Sequence, residues 1–335
     1  MKYVLAFTLL FGASFSFGTP KTEKEAIQYA TVIMDGFHIK KIYTSMTGPL
    51  KEKGVALTPE DKFASIWVKS MSVDIFNEKG QKESEEYLCH AWVTIPTPMN
   101  EEKYGRVSGM LTISQGMPEM EFPPGYAMKM AKVIDSQVNV LVQALNNVET
   151  KIDKKLIYRI KIGYIDDKDA QALGIKQLYG DSFATQVPPE KRHRPPSKPE
   201  RLGEDPHKGH SMTGMGGADP VHFIVPPGKH EYRWPLSQDM VSIRNNGVIR
   251  LIKLHLHPYG ESVALYDKTA KKFVWKGTAT QDPKRAVLLK TESYSSTEGI
   301  KLNNQHSYEV VTTYNNTSKQ TVDGMGVLRV YYGLK

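Results

Sequence analysis

The sequence predicts an all-β protein of two β-sandwich, jelly-roll-like domains joined by a Pro/Arg-rich linker. Short apolar runs of strand length recur along 335 residues, separated by turn sequences such as Asn77-Glu78-Lys79-Gly80. A stretch of repeated prolines with Arg and Lys, Val187 to Gly203, forbids a central strand and divides the chain near its middle. Length agrees, since one core seldom grows much beyond about 250 residues.

From the amino end, Lys2 precedes an apolar run, Tyr3 to Phe11. Small residues then lead to Ser16-Phe17-Gly18, the pattern of a cleaved secretory signal over residues 1–18. The run is shorter than the roughly 18 residues a membrane span requires, so the expectation is export to a periplasmic or extracellular compartment, with no membrane span. A single cysteine, Cys89, permits no intrachain disulfide, and an exported fold must then be held by its core, helped or not by metal.

Residues 19–186 read as the first sandwich. After a short helix around Glu23 to Ala30 come strands over Ser65–Val68, Ser72–Phe76, Tyr87–Ile95, Val107–Ile113, Val138–Leu145 and Leu156–Ile165. Residues 187–217 read as a solvated linker or, alternatively, a polyanion-binding arm. The formal net charge is +8 and this basic segment contributes to it, so the charge gives little reason to expect a nucleic-acid partner. Residues 218–335 read as the second sandwich, with strands over His222–Val225, Val248–His257, Ser262–Tyr266, Phe273–Lys276, Ala286–Thr291, Tyr308–Thr313 and Val327–Tyr332. Phe122-Pro123-Pro124-Gly125 and Val225-Pro226-Pro227-Gly228 are a faint internal echo.

Leu254-His255-Leu256-His257-Pro258 carries the most chemical information. Side chains alternate along a strand, so both imidazoles share one face. Met325, in Asp323-Gly324-Met325-Gly326, offers a soft third ligand on backbone that glycine lets approach closely, or else is a core side chain. Two imidazoles and a thioether suit copper in either oxidation state. Weaker candidates are His207, His210, Met212 and Met215, a glycine-rich copper-loading loop or a plain one. Cys89 with His90, joined by His38 or Met46, is a substitute copper site, or Cys89 is a buried small hydrophobe. His222, His230 and His306 have no partner at ligand spacing and read as surface or hydrogen-bonding histidines, and His193 belongs to the basic linker.

Taken in order, Val225-Pro226-Pro227-Gly228, His255-Leu256-His257, Val263 to Tyr266, Lys272-Phe273-Val274-Trp275 and Asp323-Gly324-Met325 leading into Val330-Tyr331-Tyr332 resemble the carboxy-terminal domain of the copper type II, ascorbate-dependent monooxygenases. That is the family of peptidylglycine α-hydroxylating monooxygenase and dopamine β-monooxygenase, and the resemblance covers roughly Ala218 to Tyr332. It implies a catalytic copper on His255, His257 and Met325, activating dioxygen to hydroxylate a C–H bond of a small-molecule or peptide substrate. It also implies an external reductant such as ascorbate.

Glu86-Tyr87-Leu88-Cys89-His90-Ala91-Trp92 resembles the first-domain Tyr-x-Cys strand of the same family. The family's first domain, however, carries a His-His pair and a later His for an electron-transfer copper. No adjacent His pair occurs in this chain, and Val142-Gln143-Ala144-Leu145-Asn146-Asn147 supplies no later His. Either another reductant reaches the site or the chain is no competent hydroxylase. The competing reading is a periplasmic copper-binding or copper-delivery protein with a copper donor or acceptor partner. The third is a metal-free module.

Overall fold

A computed structural model describes residues 21–57, 65–95, 109–130, 137–193, 201–202, 220–236 and 247–334. The signal segment and the candidates His207, His210, Met212 and Met215 lie outside the described residues.

The helix read around Glu23 to Ala30 is one turn, α1 (Glu23–Ala26), closed by a capping box between Thr22 and Glu25. The chain then runs through β1 (Gln28–Ile39), β2 (Leu50–Ala56), β3 (Ile66–Asn77), β4 (Leu88–Thr94), β5 (Met110–Ser114), β6 (Glu119–Glu121), β7 (Tyr126–Lys129), β8 (Gln137–Ala144) and β9 (Lys154–Asp166). A short helix, α2 (Asp167–Ala172), and β10 (Lys176–Gln177) complete the first half. One sheet has the order β1-β9-β3-β7-β10, with β6 also on β3, and the other the order β2-β8-β4-β5. Alternation explains the pairing: Leu156, Tyr158, Ile160 and Ile162 of β9 and Val73 and Ile75 of β3 point into one core with Ala91 and Val93 of β4 and Val140 and Val142 of β8. The two runs Ser65–Val68 and Ser72–Phe76 are one strand, β3, broken only by a bulge between Val68 and Ser70.

The second half holds β11 (Tyr179–Ala184), β12 (Phe223–Val225), β13 (Gly228–Pro235), β14 (Gly247–Leu256), β15 (Gly260–Asp267), β16 (Lys272–Gln281), β17 (Leu288–Thr291), β18 (Ser293–Lys301), β19 (Tyr308–Asn316), β20 (Val322–Gly324) and β21 (Gly326–Leu334). Sheets β11-β21-β14-β18 and β13-β19-β15-β16-β17 enclose the second core, and β12 pairs with β20 alone. The chain therefore changes sandwich near Leu178, ahead of the prolines, because β11 pairs along its whole length with β21. Nor is the described part of Val187 to Gly203 merely solvated. The Val187 N–H donates to the Pro220 carbonyl, the His193 N–H to the His222 carbonyl, and the Leu202 N–H to the Leu50 carbonyl.

Strand β14 fixes the relation of the halves. Ile252, Leu254 and Leu256 enter the second core, while Leu251, with Tyr331 of β21, joins the core cluster of the first sandwich. Polar bonds follow the same seam: the Tyr331 hydroxyl and the Arg329 guanidinium both donate to the Met110 carbonyl, and the Leu288 N–H donates to Gln115 Oε1. The sequence Asp323-Gly324-Met325-Gly326 needs its glycines for clearance. A Cβ on Gly326 would lie 2.1 Å from Thr312 Oγ1, and one on Gly324 would lie 2.4 Å from Val225 Cγ2. Gly326→Ala is therefore expected to cost about 1–3 kcal/mol through overpacking, read as a lowered urea midpoint.

Candidate metal centre

The alternation that sends Leu254 and Leu256 into the second core turns His255 and His257 the other way, toward the first sandwich. Both line a cavity of about 600 Å³ with Ser45, Cys89, His90, Gln115, His193 and Asp323. The expectation that the two imidazoles share one side is met, with ring centroids 5.3 Å apart.

Two groupings form there. In the first, the short β12–β20 ladder sets Phe223 against Gly324 and Ile224 against Asp323, which carries His222 to the Asp323 carboxylate. His222 Nδ1 lies 3.2 Å and His257 Nδ1 3.0 Å from Asp323 Oδ2. The three ligand atoms fall within 4.8 Å of one another. His222 is thus no isolated histidine: it is buried, and the register of two three-residue strands, which no local spacing reveals, gives it its neighbours. Burial works to raise the Asp323 carboxyl, but the imidazoles of His257 and His222 outweigh it and hold the group well below the usual carboxylate range.

In the second grouping, His90 of β4 meets His255 of β14, their Nε2 atoms 3.2 Å apart. His90 Nδ1 rests 3.0 Å from Cys89 Sγ and His255 Nδ1 3.1 Å from Ser114 Oγ. Burial keeps both rings neutral. It pushes His90 down to about 3, with repulsion from His257 and His222 adding to the effect, and it pushes His255 well below its ordinary value.

The other candidates separate. Cys89 is buried and its thiol is pushed up to about 12 by desolvation, so it sits there as a thiol rather than a thiolate. The Met46 backbone reaches Cys89, whereas His38 pairs with Asp153 at 2.5 Å. Met325 is held by its backbone: its N–H donates to the Tyr314 hydroxyl, which donates to its carbonyl, and the His257 N–H donates to the same hydroxyl. Its side chain is not among the described residues lining the cavity. His230 and His306 behave as hydrogen-bonding histidines, on the Pro227 carbonyl and Asp267, while His193, from the linker, reaches the cavity wall.

Ser45 Oγ lies 3.3 Å from His257 Nε2, which gives Ser45, His257 and Asp323 the connectivity of a serine–histidine–aspartate relay. The angle does not support one. His257 Nδ1 is buried and has no hydrogen-bond partner among the described residues, although the carboxylate is 3.0 Å away. A relay needs that N–H aimed at the carboxylate.

No known protein family and no curated protein matches the chain. Among solved structures it is similar to the STIV MCP (TM-score 0.37, 10% identity, 92% of this chain and 97% of that one). It is also similar to PNGase F, a glycosylasparaginase from Flavobacterium meningosepticum (TM-score 0.35, 8% identity, 91% and 96%), and to the PBCV-1 virus capsid (TM-score 0.30, 8% identity, 94% and 95%). Likeness at this level carries nothing about activity.

The buried histidines make a pH signature. An unfolded histidine takes up its proton near pH 6.5, whereas folded His90 resists it until about 3, so the unfolded state binds more protons in between and stability falls as pH drops through that window. Asp323 adds a loss in the same direction, confined to pH below about 4. Urea unfolding of metal-free protein between about pH 7 and pH 4.5 is expected to lose up to about 1.4 kcal/mol per pH unit per neutral histidine, and His90→Phe to flatten the slope.

Proposed function

We propose that the protein is an exported, copper-dependent oxidoreductase of monooxygenase type, acting on a small-molecule or peptide substrate in the cavity between its sandwiches. The observation that carries the reading is the orphaned Nδ1 of His257 beside His222 Nδ1 and the Asp323 carboxylate. Ligands of a common ion point at the ion and not at one another, so a nitrogen that lies 3.0 Å from a carboxylate oxygen without bonding it fits a ligand position.

The donor set fits a transition ion. Two imidazoles and one carboxylate suit a divalent metal, and copper(II) binds such sites most strongly of the first-row divalent ions. His257 Nε2 lies on Ser45 Oγ, the kind of outer contact that fixes the orientation of a ligating ring. His255 stands beside this set, and the resemblance to the copper monooxygenases adds the Met325 thioether, whose backbone shares the Tyr314 hydroxyl with His257.

Copper, when bound, supplies one-electron chemistry and the activation of dioxygen toward a C–H bond. The chain supplies the rest. The Asp323 carboxyl is held ionised as a donor, Leu145 and Val322 give the cavity an apolar wall, and the cavity gives an organic substrate room beside the ligands.

A second reading is copper storage or delivery without turnover. It is favoured by Leu145 and Asn147 at the cavity, where the family's later first-domain histidine would be needed for internal electron transfer. Oxygen uptake with ascorbate separates the two: an oxidoreductase couples uptake to a new hydroxyl on an added compound, and a carrier does not. Asp323→Asn and His257→Gln are each expected to weaken copper(II) binding at least tenfold by competition titration. Unchanged affinity in both would remove the site. Met325→Ala is expected to weaken copper(I) more than copper(II).

A further inference from the structure

The His90–His255 pair is not used by the three-residue set above, and its geometry points to a ligand of its own. The two Nε2 atoms are 3.2 Å apart, which is the separation of two imidazole nitrogens bound at about 2.0–2.1 Å and near-tetrahedral angle to one ion. The rings meet at a slant: their planes make 49° and their centroids are only 4.6 Å apart, so each ring axis is inclined to the line between the nitrogens. Two rings sharing a proton head-on would have their centroids farther apart, each ring adding nearly its full radius to the nitrogen separation.

The outer contacts agree. Each ring has its other nitrogen engaged, His90 Nδ1 on Cys89 Sγ and His255 Nδ1 on Ser114 Oγ, which leaves the paired Nε2 atoms as the free ligating edge. Trp92 stacks on His90 at 5.0 Å and 11°, fixing its plane from the far side. Both rings are buried and both line the cavity, through which an ion and further ligands arrive.

We infer that His90 and His255 form a second metal site, shared between the two sandwiches, that takes copper(I). The choice of ion follows from charge. The Nε2 edge carries two neutral donors, and the Asp323 carboxylate is engaged by His222 and His257. A divalent ion held on neutral donors in a buried setting retains its full charge without a compensating anion, whereas a monovalent one costs far less to desolvate. Imidazole binds copper(I) well, and the near-tetrahedral angle at this edge leaves positions for further neutral ligands from the cavity. This goes beyond the reading above, whose ion rests on His222, His257 and Asp323, and the two stand or fall separately.

The test is anaerobic titration of the intact, metal-free protein with copper(I) against a copper(I) chelator. His90→Gln is expected to bind one copper(I) fewer than the wild type. The double variant His222→Asn/Asp323→Asn is expected to keep one copper(I), and adding His90→Gln to it to abolish binding. Cys89→Ser is expected to leave the count unchanged, since Sγ touches Nδ1 and not Nε2. If His90→Gln binds as many as the wild type, or the double variant binds none, the second site is overturned, and loss of binding in the double variant leaves the first reading intact. Equal counts in the wild type and the double variant, with one lost in His90→Gln, support the second site and leave the first set to its copper(II) titration. X-ray absorption on the copper(I)-loaded double variant, which retains His90, decides the matter if His90→Gln misfolds: nitrogen neighbours alone support the assignment, and a sulfur neighbour overturns it.

Discussion

The pairing of β14 with β21 constrains everything else, because both faces of this ladder are buried. One face closes the second core through Ile252, Leu254, Leu328 and Val330. The other packs Leu251 and Tyr331 into the first core. A strand with two dry faces has no outlet for polar side chains, so any that it carries must find partners at the seam. Arg329 finds the Met110 carbonyl, and His255 finds His90 and Ser114. The buried imidazoles thus cluster where an otherwise apolar junction has been made to hold polar side chains.

The carboxylate shows the same logic in electrostatic form. Asp323 is nearly inaccessible, and a buried carboxylate without partners would protonate. Its partners come from two chain regions, His222 before β12 and His257 just past β14, and the β12–β20 ladder holds the first of them in register while Phe223 and Val225 enter the second core. Glycines at 324 and 326 let this turn sit against Val225 and Thr312. Local backbone clearance and site electrostatics are therefore one requirement.

The all-β class and most long strands were legible in the sequence, because β9 and β14 each alternate between a core face and another face. The same-facing His255 and His257 followed from that periodicity alone. What lay beyond reach was set by pairing between distant segments. β1 hid behind a helical beginning, and β11 crossed sandwiches although it lies upstream of the prolines. His222 looked solitary because its partner is about a hundred residues away. Asp323 is plain within the glycine motif, but nothing local to the sequence shows that its carboxylate faces two histidines. The sequence shows His90 only as the neighbour of Cys89; its relation to His255 depends on how two sheets stack.

The ion pair of Arg285 with Glu86 and the amide contact of Leu288 with Gln115 clasp the same seam from the cavity's flank. Since residues from position 44 to position 323 wall the pocket, nothing resembling it exists on a nascent chain. On the copper reading, assembly precedes loading: an emerging polypeptide offers only scattered imidazoles, and closure of the final β-strand gathers them into one receptacle.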